Sequence, residues 1–150
     1  MIAQLETTRT SLDLKRKFSA PLAQVYRAWT DPEMMDKWFH PDAGMRSSCT
    51  IDLRIGGSYE IQMHPPEEGE PFIVGGVYQE IIPQEKLVFT WAWQGEGMGG
   101  ESLITVLFRA LGDGETELTL RHENFSGEEE RDNHAQGWKD TFDQLSAALA

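Results

Sequence analysis

With 150 residues, 39% apolar and 25% charged, the chain has the composition of a globular protein with enough length to bury a core, not that of a disordered or membrane-embedded one. Thirteen basic against 25 acidic side chains leave a formal charge of −12, which repels phosphate backbones and anionic headgroups, so neither nucleic acid nor a membrane surface is expected as a partner. Cys49 is the single cysteine and excludes an intrachain disulfide; no signal-like stretch opens the chain, no window approaches the ~18 apolar residues of a spanning helix, and the cytoplasm is the expected location.

No repeat, low-complexity tract or Pro/Ser-rich linker divides the sequence, which reads as one domain over residues 1–150. Leu12, Leu14, Arg16 and Phe18 alternate with polar neighbours and predict a strand with one buried face. Ser19-Ala20-Pro21 opens a helix, Pro21 suiting its first turn, with Leu22, Val25, Tyr26 and Trp29 as its apolar stripe. Asp31-Pro32-Glu33 starts a second short helix with an N-cap and an early acidic residue, ending near Trp38-Phe39 before Pro41.

The period then changes to two. Cys49, Ile51, Leu53 and Ile55 predict a strand, Gly56-Gly57 a hairpin turn, and Tyr59, Ile61 and Met63 the returning strand. After the loop Pro65–Pro71, strands are predicted over 72–82, through Leu87, Phe89, Trp91 and Trp93, over 103–109 and over 116–123. The last segment is helical: Ser126 and Glu129 have the spacing of a capping box, Glu128–Glu130 suit the positive end of the helix dipole, and His134, Trp138, Thr141, Phe142, Leu145 and Leu149 share a face. The expected fold is α+β: a curved antiparallel sheet of about six or seven strands around a long C-terminal helix, with two short helices after the first strand plugging one end.

Gly95, Gly97 and Gly100 satisfy G-x-G-x-x-G, but the following Ser102-Leu103-Ile104-Thr105-Val106 predicts a strand rather than the helix a dinucleotide site requires, so the glycines read as a hairpin turn. His40, His64, His122 and His134 lack metal-ligand spacing. No serine has a nucleophile-elbow setting, and Cys49 lacks a nearby His or Lys to activate it, reading as a small core filler. No catalytic residue, metal site or cofactor is therefore assigned. Arg16, on the inward phase, needs a carboxylate, and Glu80 is the candidate partner.

The aromatics are numerous for a small core. Gly137 beside Trp138 makes sense where the helix approaches the sheet or where space is kept for a guest, because glycine costs up to ~1 kcal/mol in a helix interior. His122 and His134 are each in phase to point inward and meet.

Ala20-Pro21 with Val25, Trp29-Thr30-Asp31-Pro32-Glu33, Trp38-Phe39 and Pro41 resemble the start of the START-like (SRPBCC, Bet v 1-like) superfamily, and more narrowly the bacterial homologues of the activator of Hsp90 ATPase, C-terminal-domain type. The resemblance continues in Asp52-Leu53-Arg54 with Gly56-Gly57, Gly76-Val77-Tyr78 with Glu80-Ile81 and Pro83, and Leu87-Val88-Phe89-Thr90-Trp91. It ends with Thr116-Glu117-Leu118-Thr119-Leu120 and His122, and with Gly137-Trp138. It implies a helix-grip fold with an internal cavity. The first function expected is binding of a small hydrophobic or amphipathic ligand, the wall formed by Trp38, Phe39, Met63, Tyr78, Trp91, Trp93, Trp138 and Phe142, with His122 and His134 as polar anchors. The resemblance also implies a co-chaperone-like module acting on an Hsp90-type ATPase, or a cavity enzyme of cyclase or hydrolase type.

Overall fold

The computed structural model describes residues 4–95 and 100–150. Gly97 of the glycine-rich turn lies outside the described residues. The elements follow in the order β1 (Gln4–Thr7), β2 (Ser11–Phe18), α1 (Leu22–Thr30), α2 (Pro32–Met35), β3 (Arg46–Ile51), β4 (Ser58–His64), β5 (Phe72–Ile82), β6 (Lys86–Trp93), β7 (Ser102–Gly112), β8 (Glu115–Glu123) and α3 (Glu128–Leu149). The eight strands make one antiparallel sheet in the order β1-β2-β8-β7-β6-β5-β4-β3. Hairpins join β3 through β8 in sequence, and the β1–β2 hairpin completes the far edge against β8. The strand beyond the expected six or seven is β1, a four-residue edge piece too short to show a period.

Two other boundaries differ from the sequence pattern. The alternation of Cys49, Ile51, Leu53 and Ile55 runs past the end of β3: Arg54 N–H donates to Asp52 O at 2.9 Å and Gly57 N–H to Arg54 O at 2.8 Å, and Gly56 adopts φ +85°. The turn demanded by Gly56-Gly57 therefore begins at Asp52, leaving Leu53 and Ile55 41% and 66% exposed. At the start of α3, Ser126 bonds Glu130 rather than Glu129. Its N–H donates to Glu130 Oε2 at 2.9 Å and its hydroxyl closes a short hydrogen bond to the same oxygen.

The two short helices form for local reasons. Pro21 stands just before α1 with φ −62°, and Val25, Ala28 and Trp29 are the buried face. Asp31 caps α2, accepting Glu33 N–H at 3.0 Å, and Pro32 occupies its first turn. This helix stops at Met35, and a turn carries the chain on to Trp38 and Phe39.

The inward faces of β2, β6, β7 and β8 supply Leu12, Leu14, Phe18, Leu87, Phe89, Ile104, Val106, Leu118 and Leu120, and α3 lays Trp138, Phe142 and Leu145 into the same core. Arg16 pairs with Asp143 of α3 at 2.8 Å, not with Glu80, which pairs with Lys86 at 3.2 Å. The reason is topological: three strands separate β2 from β5, whereas α3 crosses β2.

Candidate functional site: an aromatic groove under the terminal helix

Between sheet and helix most of the space is filled by interlocked rings. Trp38 and Trp29 lie 4.8 Å apart, Trp29 and Trp138 6.3 Å, Trp138 and Trp91 5.2 Å, and Trp91 and Trp93 5.5 Å, centroid to centroid. Beside this stack a groove of about 320 Å³ remains, near the lower limit of roughly 300 Å³ for ligand sites. Its wall is built from Phe39, Pro41 and Met45 of the α2–β3 connection, Met63 of β4, Phe72 of β5, Trp91 and Trp93 of β6, and Asn133, His134, Gly137, Trp138 and Thr141 of α3.

One position of α3 that borders the groove has no side chain. A Cβ placed on Gly137 would meet nothing within 4 Å. Close approach to the sheet therefore does not require this glycine; it leaves room.

Of the residues predicted to line a cavity, Phe39, Met63, Trp91, Trp93, His134 and Trp138 form the wall. The other four sit in the core. Trp38 is fully buried and its indole N–H donates to Ala28 O at 2.8 Å. Tyr78 packs against Tyr59 and Phe89, and Phe142 against Phe18, Trp29 and Trp138. His122 is sealed behind Ser102 and Trp138. Period alone shows that these side chains point inward, and not how far along the helix the filling extends.

The two histidines do meet, with ring centroids 5.1 Å apart, but their nitrogens are committed to protein. Trp138 Nε1–H donates to His122 Nδ1 at 3.0 Å; an indole only donates, so Nδ1 is bare and the proton is on Nε2, 2.7 Å from Ser102 Oγ. Ser102 Oγ–H in turn donates to Trp91 O at 3.2 Å. Trp93 Nε1–H donates to His134 Nε2 at 2.9 Å, and His134 Nδ1–H donates to Glu130 O at 2.8 Å. Burial pushes both imidazoles below the ordinary histidine value, His122 well below, with the His134 charge adding to the effect there; Glu130 partly offsets the depression at His134. Each histidine is thus a neutral acceptor that fixes an indole of the groove wall. Asn133 and Thr141 supply further polar atoms to the wall.

A third histidine supports the opposite wall. Ser47 Oγ–H donates to Phe39 O at 2.6 Å, so buried His40 donates from Nδ1 to Ser47 Oγ at 2.9 Å. This pair anchors the chain where Phe39 enters the groove. The sequence signalled Gly137 directly, but Met45, Phe72 and Asn133 carry no periodic cue, because their place in the wall follows from loop geometry and from the helix rotation.

Cys49 packs at the edge of the core, and burial followed by the neighbouring Asp36 carboxylate holds its thiol well above its usual range. Among the described residues no cluster of three or more His, Cys, Asp or Glu groups is placed to hold a metal ion, and no helix is long and apolar enough to cross a membrane.

An open antiparallel sheet gripping one long helix, with two short helices after the second strand and an apolar groove under the helix, defines the START-like (SRPBCC) class. Within that class the chain belongs to the Activator of Hsp90 ATPase homolog 1-like protein family, whose model matches residues 19–150. A protein from Chromobacterium violaceum is similar at 29% identity and TM-score 0.81, covering 93% of this chain and 96% of its own. A Rhodobacter sphaeroides protein superposes at TM-score 0.84 with 22% identity over 99% of this chain and 98% of its own, showing the shared fold. The human activator of 90 kDa heat shock protein ATPase homolog 1 is 25% identical over 128 residues, which is 85% of this chain and 33% of the human protein. The chain therefore spans about a third of that relative's length.

Proposed function

We propose that residues 1–150 act as one domain that binds a small hydrophobic or amphipathic molecule in the groove between the sheet and α3. The observation that carries this reading is the conjunction of an aromatic, roughly 320 Å³ groove with a glycine facing it from the helix. Membership of a START-like family supports a ligand-binding or co-chaperone-like role in general. The histidines act in this reading as supports of Trp93 and Trp138 rather than as direct anchors of the guest, because their nitrogens already have protein partners.

The test uses Nile red, an uncharged dye that brightens in apolar surroundings. The wild-type protein is expected to bind it with saturation, and Gly137→Leu, which places a side chain into open space, is expected to abolish binding without lowering the melting temperature. Unchanged binding by Gly137→Leu removes the groove as the site.

A second reading is favoured by the family match together with the exposed Leu53 and Ile55 at the β3–β4 turn: a co-chaperone-like contact with an Hsp90-type ATPase. It predicts that adding the protein changes the chaperone's ATP hydrolysis and that Leu53→Ser/Ile55→Ser cancels the change. An unaltered hydrolysis rate at saturating protein rejects it.

A further inference from the structure

We infer that the groove selects an uncharged, ring-bearing guest and discriminates against carboxylates; this rests on the ligand-binding reading above and adds the chemical class of the ligand. Among the described residues its wall contains no Lys, Arg, Asp or Glu side chain. The one titratable group in it, His134, is held neutral by geometry: Nε2 accepts the Trp93 indole and Nδ1–H is given to Glu130 O, so a protonated imidazole would point a donor at a donor. His122 behind it, with its ring 5.1 Å away, is likewise neutral and brings no positive charge to the groove. An anionic headgroup entering here meets no cation, and it does so in a protein of net charge −12. Taking a carboxylate from water without a paired charge is strongly unfavourable, whereas a carbonyl or hydroxyl needs only a hydrogen bond.

The shape of the wall adds the rings. Trp91, Trp93, Trp138 and Phe39 offer aromatic faces and edges that a flat ring matches by stacking or edge contact. Along α3 the wall runs from Asn133 to Thr141, eight residue steps or about 12 Å at the rise of an α-helix, with Gly137 at its middle. Exposed Asn133 marks one end and buried Thr141 the other. The guest class that fits is a fused- or linked-ring molecule with neutral oxygen functions near its ends.

Isothermal titration with a matched pair at pH 7.5, methyl 2-naphthoate and 2-naphthoate, tests this directly. The ester is expected to bind roughly tenfold or more tightly than the carboxylate. Asn133→Lys, an exposed change at the mouth, is expected to raise the affinity for 2-naphthoate several-fold relative to that for the ester. Equal or tighter binding of the carboxylate by the wild type, or no response to Asn133→Lys, overturns the selectivity while leaving the groove as a binding site. If neither compound binds and Nile red also fails, the binding reading and the selectivity fall together.

Discussion

The inner face of α3 has two halves that the same helical stripe makes continuous and the structure makes different. Toward the C-terminus, Phe142 and Leu145 are fully buried and interlock with Phe18, Trp29 and the strands. Toward the N-terminus, Asn133, His134, Gly137, Trp138 and Thr141 border the groove. The first half holds the helix on the sheet; the second keeps a space beside packed rings, two of which, Trp93 and Trp138, are also held by hydrogen bonds to histidines. One helix thus carries a packed half and, on the binding reading proposed above, a half that faces a guest, with Trp138 belonging to both.

The largest effect that would break this contrast is a truncation in the packed half. Phe142→Ala removes a fully buried ring and is expected to cost about 3–5 kcal/mol in chemical denaturation, whereas Met63→Ala, on the groove wall with space beside it, is expected to cost less. Equal losses would mean that the groove is not open in solution.

The next effect is acid sensitivity of the hydrogen-bonded half. His122 and His134 have folded pKa values depressed below that of the unfolded chain. Above about pH 6.5 both states carry these groups neutral and no stability is lost through them. Below that pH the unfolded chain takes up protons that the fold refuses, so stability falls until the folded pKa values are reached. Urea midpoints at pH 7.5 and 5.0 are expected to differ more for the wild type than for His122→Asn/His134→Asn; an identical difference in both proteins would show that the histidines do not titrate as this geometry requires.

Smaller effects sharpen the comparison. Gly137→Ala is expected to stabilise by up to about 1 kcal/mol in thermal unfolding, because its Cβ meets nothing and a flexible residue leaves the helix interior. A loss instead would place an obstacle in the groove. The Arg16–Asp143 pair, with the Asp143 side chain 64% exposed, is expected to be worth less than about 1 kcal/mol in a double-mutant cycle.

The sheet and the terminal helix were legible because alternation and the three-to-four-residue stripe are set by burial on one side, which every such element must satisfy. The same rule misled at Leu53 and Ile55, where apolar residues continued the alternation into a turn that Gly56 and Gly57 impose. At the site, Met63, Trp91, Trp93, His134 and Trp138 lie on the inward phase of their own strands or helix, as do Tyr78, His122 and Phe142, and phase does not distinguish a residue that borders empty room from one that fills it. The hydrogen bonds that commit the histidines join β6 to α3 and α3 to β8, across separations of 41 and 16 residues that no local pattern encodes. Gly137 stood out by its cost inside a long helix, which pointed to close approach or to kept space, and the open surroundings of its Cβ favour space.

All five tryptophans form one chain of neighbouring rings from Trp38 in the core to Trp93 at the groove. Indoles at these separations share excitation, so light absorbed at any of them migrates among the others before it is emitted. A molecule settling against Trp91 and Trp93 would quench or redirect that common emission and alter the coupled near-ultraviolet circular dichroism. On the binding reading proposed above, the tryptophan chain is a built-in optical reporter of occupancy, readable without a dye or a label.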